Sequence, residues 1–310
     1  MLKHVKITLA VFCAAVALTA CKSSMKIKHL PYPEAERTEV VDNYFGTEVA
    51  DPYRWLEDDR SEQTAAWVAA ENAVTQNYLN QIPFREAMRA RLTELWTYPS
   101  EGTPAKHGGY YYYFHNDGTQ NQMVLYRKAT LDSEPEVFLD PNKLSEDGTV
   151  ALANITFSED GSHCAYAASA SGSDWSDIYV METEGKKLTD DVVKWVKLSE
   201  AKWSPDGKSF YYSTFDVPEG RVYSTQNQYQ KVYQHTLGTP QTKDRLIYQD
   251  TQHPLRYFKA QPCKDGKWLF ITASEGTSGS EILYKKIGDK EFKVLFPGFE
   301  NDYHIIDCRG

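Results

Sequence analysis

The sequence lacks the features that mark several common classes of protein. Among its 310 residues there is no Cys-x-x-Cys pair and no cluster of Cys and His, so a zinc site is not supported. A Gly-rich phosphate-binding loop and the His-Glu-x-x-His pattern are also absent. Basic residues number 34 against 43 acidic ones, and the net charge of −9 argues against nucleic acid as the main partner. We therefore predict no metal, no cofactor and no nucleic-acid partner.

Cysteine is scarce and widely spaced. Cys13 and Cys21 fall in the N-terminal segment, which leaves Cys164, Cys263 and Cys308 for the folded part of the chain. Because their number is odd and no two of them are close in sequence, we expect all three to be buried free thiols.

Residues 1–20 have the pattern of an export signal. Lys3 and Lys6 are followed by an apolar run over residues 7–18, and no acidic residue precedes Glu34. The run is too short to cross a bilayer as a helix. Its ending, Leu-Thr-Ala before Cys21, resembles the lipobox of bacterial lipoproteins, which implies cleavage before Cys21 and attachment of lipid to it. The prediction is an exported protein, anchored by lipid at the bacterial cell envelope.

Two other interpretations of this segment stay open. It could be an ordinary signal peptide in which the cysteine is a coincidence, or translation could begin at Met25 and give a cytosolic protein. Without residues 1–20 the net charge becomes −11, because two lysines and no acids are removed. Anionic headgroups repel such a protein, so the lipid, and not the surface charge, would hold it at a membrane.

The sequence of residues 34–97 predicts a helical segment, which follows a linker over residues 21–33. Ser61 is a plausible N-cap, and Pro83 suits the start of a second helix. The first helix is indicated by apolar residues at helical spacing, namely Trp67, Ala70, Val74 and Tyr78.

The sequence of residues 98–310 predicts β structure with an internal repeat. Aromatic residues make up 13% of the chain, which favours strands. A turn containing Gly precedes an apolar strand four times, and each unit then has a second strand ending in tyrosine. These tyrosines, Tyr126, Tyr179, Tyr233 and Tyr284, lie 53, 54 and 51 residues apart. A period near 50 residues is typical of a β-propeller, and about four blades fit into this region.

Several motifs resemble those of the prolyl oligopeptidase family of serine peptidases. Residues 49–58, Val-Ala-Asp-Pro-Tyr-Arg-Trp-Leu-Glu-Asp, are similar to the N-terminal signature of that family. Further matches follow in order at residues 120–126, 138–142, 145–152, 157–161 and 169–175. The resemblance covers essentially all of residues 30–310.

The resemblance implies a two-domain enzyme that cuts short peptides after proline. In that family an α/β-hydrolase domain is capped by a seven-bladed propeller, which gates the active site and helps to bind substrate. Residues 34–97 would belong to the hydrolase domain, and residues 98–310 would form about four of the seven blades. The rest of the hydrolase domain follows the propeller in this family.

The chain departs from the family because it has no G-x-S-x-G nucleophile elbow. The nearest string, residues 276–280, lacks the last glycine and falls between predicted strands. None of the 8 histidines can be assigned as the base of a triad, so we predict no catalytic residue here. We therefore expect an inactive N-terminal portion of a prolyl oligopeptidase, whose partner is the missing hydrolase portion.

The resemblance does assign substrate-binding residues. Asp174 aligns with an aspartate that pairs with a substrate-binding arginine of the hydrolase domain, and a carboxylate can orient a guanidinium in this way. Leu198, Tyr257 and Thr277 align less surely with side chains that line the cleft beyond the proline pocket. The family often has an aromatic residue at the first of these three positions and cysteine at the last. The alternative roles are turn formation for Asp174 and ordinary strand packing for the other three.

Two further functions remain as alternatives to a peptidase. One is a lipid-anchored propeller that binds peptides or a partner without catalysis. The other is a structural or pseudogene product without a function of its own.

Overall fold

The computed structural model of the chain describes residues 30–217, 226–306 and 308. The predicted signal segment and Cys21 lie outside these residues. No helix in the described part is both long and apolar enough to cross a membrane. The chain divides into two compact units, Met1–Glu86 and Ala87–Gly310.

The first unit contains a hairpin and a helix. Strands β1 (Val41–Tyr44) and β2 (Thr47–Ala50) pair antiparallel, and a 3-10 turn (Arg54–Glu57) leads to helix α1 (Glu62–Leu79). The hydroxyl of Ser61 accepts a hydrogen bond from the Thr64 amide at 3.1 Å, which confirms the predicted N-cap.

A second helix, α2 (Arg85–Trp96), begins at the end of the first unit and continues into the second. It begins at Arg85, so Pro83, which is expected to open the helix, lies two residues before it. Its large apolar side chains are all exposed, namely Met88, Leu92, Leu95 and Trp96.

The second unit is built from four successive antiparallel blades. The first blade has β3 (Ser100–Glu101), β4 (Ala105–His107), β5 (Tyr110–Asn116), β6 (Val124–Lys128) and β7 (Glu136–Leu139). The second has β8 (Val150–Phe157), β9 (His163–Ala170), β10 (Trp175–Glu182) and β11 (Lys187–Lys197). The third has β12 (Lys202–Trp203), β13 (Ser209–Thr214), β14 (Lys231–Thr236) and β15 (Arg245–Gln249). The fourth has β16 (Tyr257–Pro262), β17 (Trp268–Ser274), β18 (Glu281–Lys286) and β19 (Lys293–Phe296).

The repeated tyrosines occupy the same place in every blade. Each one lies opposite an aromatic residue of the preceding strand, and the two rings stack with centroids 5.4–6.5 Å apart. The four cross-strand pairs are Tyr113–Tyr126, Tyr166–Tyr179, Tyr212–Tyr233 and Phe270–Tyr284. A stacked cross-strand pair adds to sheet stability, so the 51–54-residue echo in the sequence reflects one structural element used four times.

Polar contacts join consecutive blades. Between the first two, the buried Arg127 side chain donates to the carbonyls of Thr183 and Glu184 and lies 4.2 Å from the Tyr110 ring centroid. Between the last two, Ser213 Oγ donates to the Phe258 carbonyl at 2.6 Å. Side-chain groups thus satisfy buried backbone groups at these boundaries.

The second and third blades are joined directly, because Val196 on β11 pairs with Thr214 on β13 and makes the two blades one eight-stranded sheet. A buried ionisable cluster also connects them. His235 on β14 is fully buried, with Nδ1 2.8 Å from Asp244 Oδ1 and Nε2 3.2 Å from Asp191 Oδ1. Tyr212 donates to Asp244 at 2.8 Å, and the Gly238 amide donates to Asp191 at 2.6 Å. Burial alone would lower the pKa of His235, but the hydrogen bonds and charges of the two carboxylates outweigh it and raise that pKa above 6.5.

The expectation of three free thiols is correct for one cysteine and wrong for two. Cys164 on β9 is free and buried, and burial raises its pKa to about 12. Cys263 and Cys308 instead form a disulfide with their Cα atoms 5.7 Å apart. The pair joins the end of β16 to the segment that follows β19, so residues far apart in sequence become neighbours through the fold.

Residues 299–306, called the strap here, follow the fourth blade without forming a regular strand. The Ser280 amide donates to the Asn301 carbonyl at 2.9 Å, and the Tyr303 amide donates to Ser280 Oγ at 2.8 Å. Gln261 donates to the Ile305 carbonyl at 3.0 Å. These separate bonds and the disulfide hold the strap against the fourth blade.

Candidate functional site

Asp174 is presented by a tight hairpin between β9 and β10. Ser171 and Gly172 both have positive φ, of 53° and 73°, and the Trp175 amide donates to Ser173 Oγ at 3.0 Å. Ser173, and not Asp174, therefore provides the side-chain acceptor at this turn. The Asp174 side chain is 75% exposed, and its Oδ2 lies 3.4 Å from Lys197 Nζ. This placement leaves much of the Asp174 carboxylate exposed to solvent.

Lys197 connects Asp174 to an aromatic group. Its ammonium nitrogen lies 5.3 Å from the centroid of the Trp175 ring, and its side chain is only 16% exposed. Trp175 and Lys197 are direct cross-strand partners on β10 and β11. Lys197 therefore places a cation beside the exposed Asp174 carboxylate and against the Trp175 ring.

Tyr257 lies at the other end of the same aromatic row. The Phe215 ring packs edge-on against Trp175 and against Tyr257, with centroid distances of 6.3 Å in both contacts. Tyr257 is partly exposed at the start of β16. Asp174 and Tyr257 therefore belong to one continuous surface, formed by the second, third and fourth blades.

Leu198 follows Lys197 directly and lines a cavity of about 220 Å³, called the first cavity here. Its backbone has a positive φ of 56°, and the residue is 54% exposed. Tyr211 and Tyr212 form another part of the wall. Burial raises the pKa of both phenols, so they stay neutral and act only as hydrogen-bonding groups.

Thr277 lines a second cavity of about 280 Å³, beside the first. The two cavities share Glu200, Lys202, Lys259 and Ala260, so Leu198 and Thr277 lie on adjoining hollows. Asp174 and Tyr257 line neither cavity.

The second cavity also contains residue types of a serine-hydrolase triad, but they are not arranged as one. Ser278, Asp302 and His304 all line it. Within the described residues no hydrogen bond joins Ser278 to His304 or His304 to Asp302, whose Oδ1 accepts from the Gly279 amide at 2.7 Å. Ser278 lies in the loop between β17 and β18, as its sequence position predicts, and not on a strand-to-helix turn. In the described part of the chain, no group of three or more His, Cys, Asp or Glu side chains could hold a metal ion.

Sequence reasoning missed Lys197, Phe215, Lys202 and Lys259. Lys197 could have been found, because it immediately precedes Leu198 and strand pairing brings it opposite Trp175. Phe215 and Lys202 come from the third blade and Lys259 comes from the fourth, and only the fold brings them near the predicted residues.

Comparisons with known proteins identify the same family throughout. Residues 32–310 match the family described as "Prolyl oligopeptidase, N-terminal beta-propeller domain". The chain is 42% identical to the prolyl endopeptidase of Elizabethkingia meningoseptica over 311 aligned positions, covering all of this chain and 43% of that protein. It is 33% identical to prolyl oligopeptidase A of Galerina marginata, covering 90% of this chain and 43% of the relative. The chain thus spans less than half the length of these curated relatives.

Solved structures support the same assignment. A structure from a mechanistic analysis of two prolyl endopeptidases superposes with a TM-score of 0.76 at 33% identity, covering 86% of this chain and 40% of that one. Prolyl oligopeptidase B of Galerina marginata, bound to a 35mer hydrolysis and macrocyclisation substrate, gives a TM-score of 0.74 at 29% identity, covering 90% and 43%. The mainly β architecture and its four blades correspond to the propeller of these enzymes. The chain belongs to the prolyl oligopeptidase family, and its blades are those of the N-terminal β-propeller domain.

Proposed function

We propose that this chain is the substrate-binding N-terminal portion of a serine peptidase that cuts short peptides on the C-terminal side of proline. The catalytic triad is supplied by a hydrolase portion, and the propeller gates access to it. Residues 1–310 alone are inactive, because no residue of the chain is assigned to form an acyl-enzyme.

The observation that carries this proposal is the exposed carboxylate of Asp174 beside the aromatic row. A carboxylate with Lys197 on one side can accept a guanidinium on its open side, and such charge-assisted bonds have well-defined geometry. Tyr257, Leu198 and Thr277 extend the same region with apolar and hydroxyl groups. The relative of known structure that holds a 35mer substrate supports a peptide as the ligand class.

Fusion of residues 1–310 to the C-terminal portion of the Elizabethkingia meningoseptica relative tests this function. We expect the fusion to hydrolyse a proline-containing reporter peptide, and residues 1–310 alone to leave it intact. In the fusion, Asp174→Ala should lower kcat/KM by about 10- to 100-fold, as expected for losing a charge-assisted hydrogen bond. Its melting temperature should hardly change, because the Asp174 side chain is largely exposed.

Asp190→Ala is the matched control, since this aspartate is exposed on β11 of the same blade. It should leave both kcat/KM and the melting temperature unchanged. Unaltered kinetics in Asp174→Ala would remove the assigned role of this carboxylate. A folded but inactive fusion, together with peptide binding by residues 1–310, would favour a non-catalytic binding module.

We propose further that the protein is exported and held at the cell envelope by lipid on Cys21. The charge pattern of residues 1–20 and the cysteine after Ala20 support this location. The Cys263–Cys308 disulfide adds support, because disulfides persist mainly in oxidising compartments.

Replacing the lipid-bearing residue tests the anchor. In a Gram-negative host, the wild-type chain should fractionate with membranes and carry acyl chains on Cys21, while Cys21→Ser should enter the soluble fraction. Cys164→Ser, which changes a buried thiol, should stay with the membranes. Identical soluble fractionation of the wild type and Cys21→Ser would reject the lipoprotein assignment.

A further inference from the structure

Lys259 extends the face of β16 that begins with Tyr257. Alternate residues of a strand point to the same side, so Tyr257, Lys259 and Gln261 share one face while Phe258 and Ala260 are buried on the other. Lys259 lines both the first and the second cavity. With Glu200, Lys202 and Ala260, it is one of four residues that line both the cavity of Leu198 and the cavity of Thr277.

The charges around the two cavities leave Lys259 without an anionic partner. Glu200 is paired with Lys202 through a 2.6 Å contact between Oε1 and Nζ. Asp302 accepts from the Gly279 amide at 2.7 Å. No carboxylate of the described residues forms an ion pair or hydrogen bond with the Lys259 ammonium group. The charges of Glu200, Asp302, Lys202 and Lys259 sum to zero. Any attraction for an anion is therefore local to the ammonium group of Lys259.

Hydroxyl groups line the same cavity as Lys259. Within the described part of the chain, the side chains of Thr277 and Ser278 have no hydrogen-bond partner in the protein, and both residues are exposed, as Lys259 is. Both lie in the loop after β17, and Tyr303 and Ile305 of the strap form the facing wall. An ammonium group together with two unused hydroxyl donors is a suitable environment for a carboxylate.

We propose that Lys259, with Thr277 and Ser278, binds a carboxylate of a short peptide in the second cavity. This inference rests on the proposed function, which supplies the peptide as the ligand class. The cavity of about 280 Å³ is smaller than the roughly 300–1,000 Å³ of drug-sized pockets, so it admits the end of a peptide and not a long segment. The carboxylate belongs either to the C-terminus or to an acidic side chain near it.

Binding to the 310-residue chain can be measured directly by calorimetry, without a hydrolase portion. The probes are the peptide Gly-Pro-Ala-Ala with a free C-terminal carboxylate, the same peptide as a C-terminal amide, and Gly-Pro-Ala-Glu as an amide. We expect the free acid to bind about two- to fivefold more tightly than the amide, as for one solvent-exposed ion pair. In Lys259→Gln this preference should disappear. At about 1 M salt, where charges are screened over about 3 Å, it should shrink in the wild type.

Lys293→Gln is the control, because this lysine is exposed on β19 at the outer end of the same blade. It should keep the full preference for the acid, and both variants should melt at the wild-type temperature. If the glutamate-containing amide binds more tightly than the alanine amide, an acidic side chain can supply the carboxylate. If it binds as weakly as the alanine amide, the carboxylate must come from the C-terminus.

Equal affinity of the wild type for the free acid and for both amides would overturn the carboxylate site, as would a preference for a carboxylate that survives in Lys259→Gln. Absence of binding by every probe would also overturn it. The proposed peptidase function is tested separately, because an inactive fusion protein would contradict it without bearing on the carboxylate site.

Discussion

Loss of the Cys263–Cys308 disulfide should lower the free energy of unfolding by about 4 kcal/mol, the entropic effect expected for a loop of this size. The bond closes a loop between residues separated by 45 positions, so reduction gives the unfolded chain much additional freedom. Denaturant unfolding of residues 21–310, with and without reductant, measures the effect. The double variant Cys263→Ser/Cys308→Ser should match the reduced wild type and should no longer respond to reductant.

The variant Cys164→Ala is the control that separates loss of the disulfide from any effect of the reductant on the free thiol. Cys164 is a buried free thiol, so this variant should still lose stability when the disulfide is reduced. Equal unfolding midpoints for the wild type and the double variant would mean that the bond contributes nothing to the folded state. Because the strap forms a wall of the second cavity, reduction should also weaken peptide binding there.

Replacement of His235 should have a similarly large effect. In His235→Gln the carboxylates of Asp191 and Asp244 would remain buried without a cation, and breaking a buried ion pair in this way costs about 3–5 kcal/mol. His253→Gln is the control, because His253 is about half exposed and its pair with Asp250 is at the surface. Urea unfolding should show a large loss for the first variant and at most about 1 kcal/mol for the second.

The same cluster predicts a specific dependence of stability on pH. The pKa of His235 is raised in the folded state relative to 6.5, so folding favours the protonated imidazole. Its contribution to stability is fully present below pH 6.5 and is lost as the pH rises through the raised folded-state pKa. His235→Gln should lack this alkaline loss. A wild-type unfolding free energy that stays constant over this interval would show that His235 is neutral in the folded protein.

The repeated part of the fold could be predicted because each repeat depends on local chemistry. Turn glycines and the strand tyrosines recur in every blade, and the structure confirms that Tyr126, Tyr179, Tyr233 and Tyr284 are equivalent. The disulfide could not be predicted, because an odd number of cysteines leaves the pairing open. Its formation depends on the path of the chain between β16 and the strap.

The candidate site could be predicted only in part. The resemblance indicated Asp174, Leu198, Tyr257 and Thr277, whose substrate-binding roles stay predictions. It did not indicate Lys197, which is placed by strand pairing, or Lys259, whose neighbours come from the third and fourth blades and the strap. Charge partners of this kind are set by three-dimensional packing, and a sequence pattern does not encode which ion pairs are already formed.

The four Gly-containing turns look alike in the sequence but differ in how freely they could change during evolution. A Cβ atom on Gly161 would come within 2.5 Å of the Gly108 Cα atom, in the corresponding turn of the first blade. At Gly266 no atom lies within 4 Å of such a Cβ, so there only the positive φ of 70° disfavours another residue. Gly161 and Gly108 therefore constrain each other as a pair. A side chain at position 161 would therefore require the first blade to move away, a constraint that the turn at Gly266 does not have.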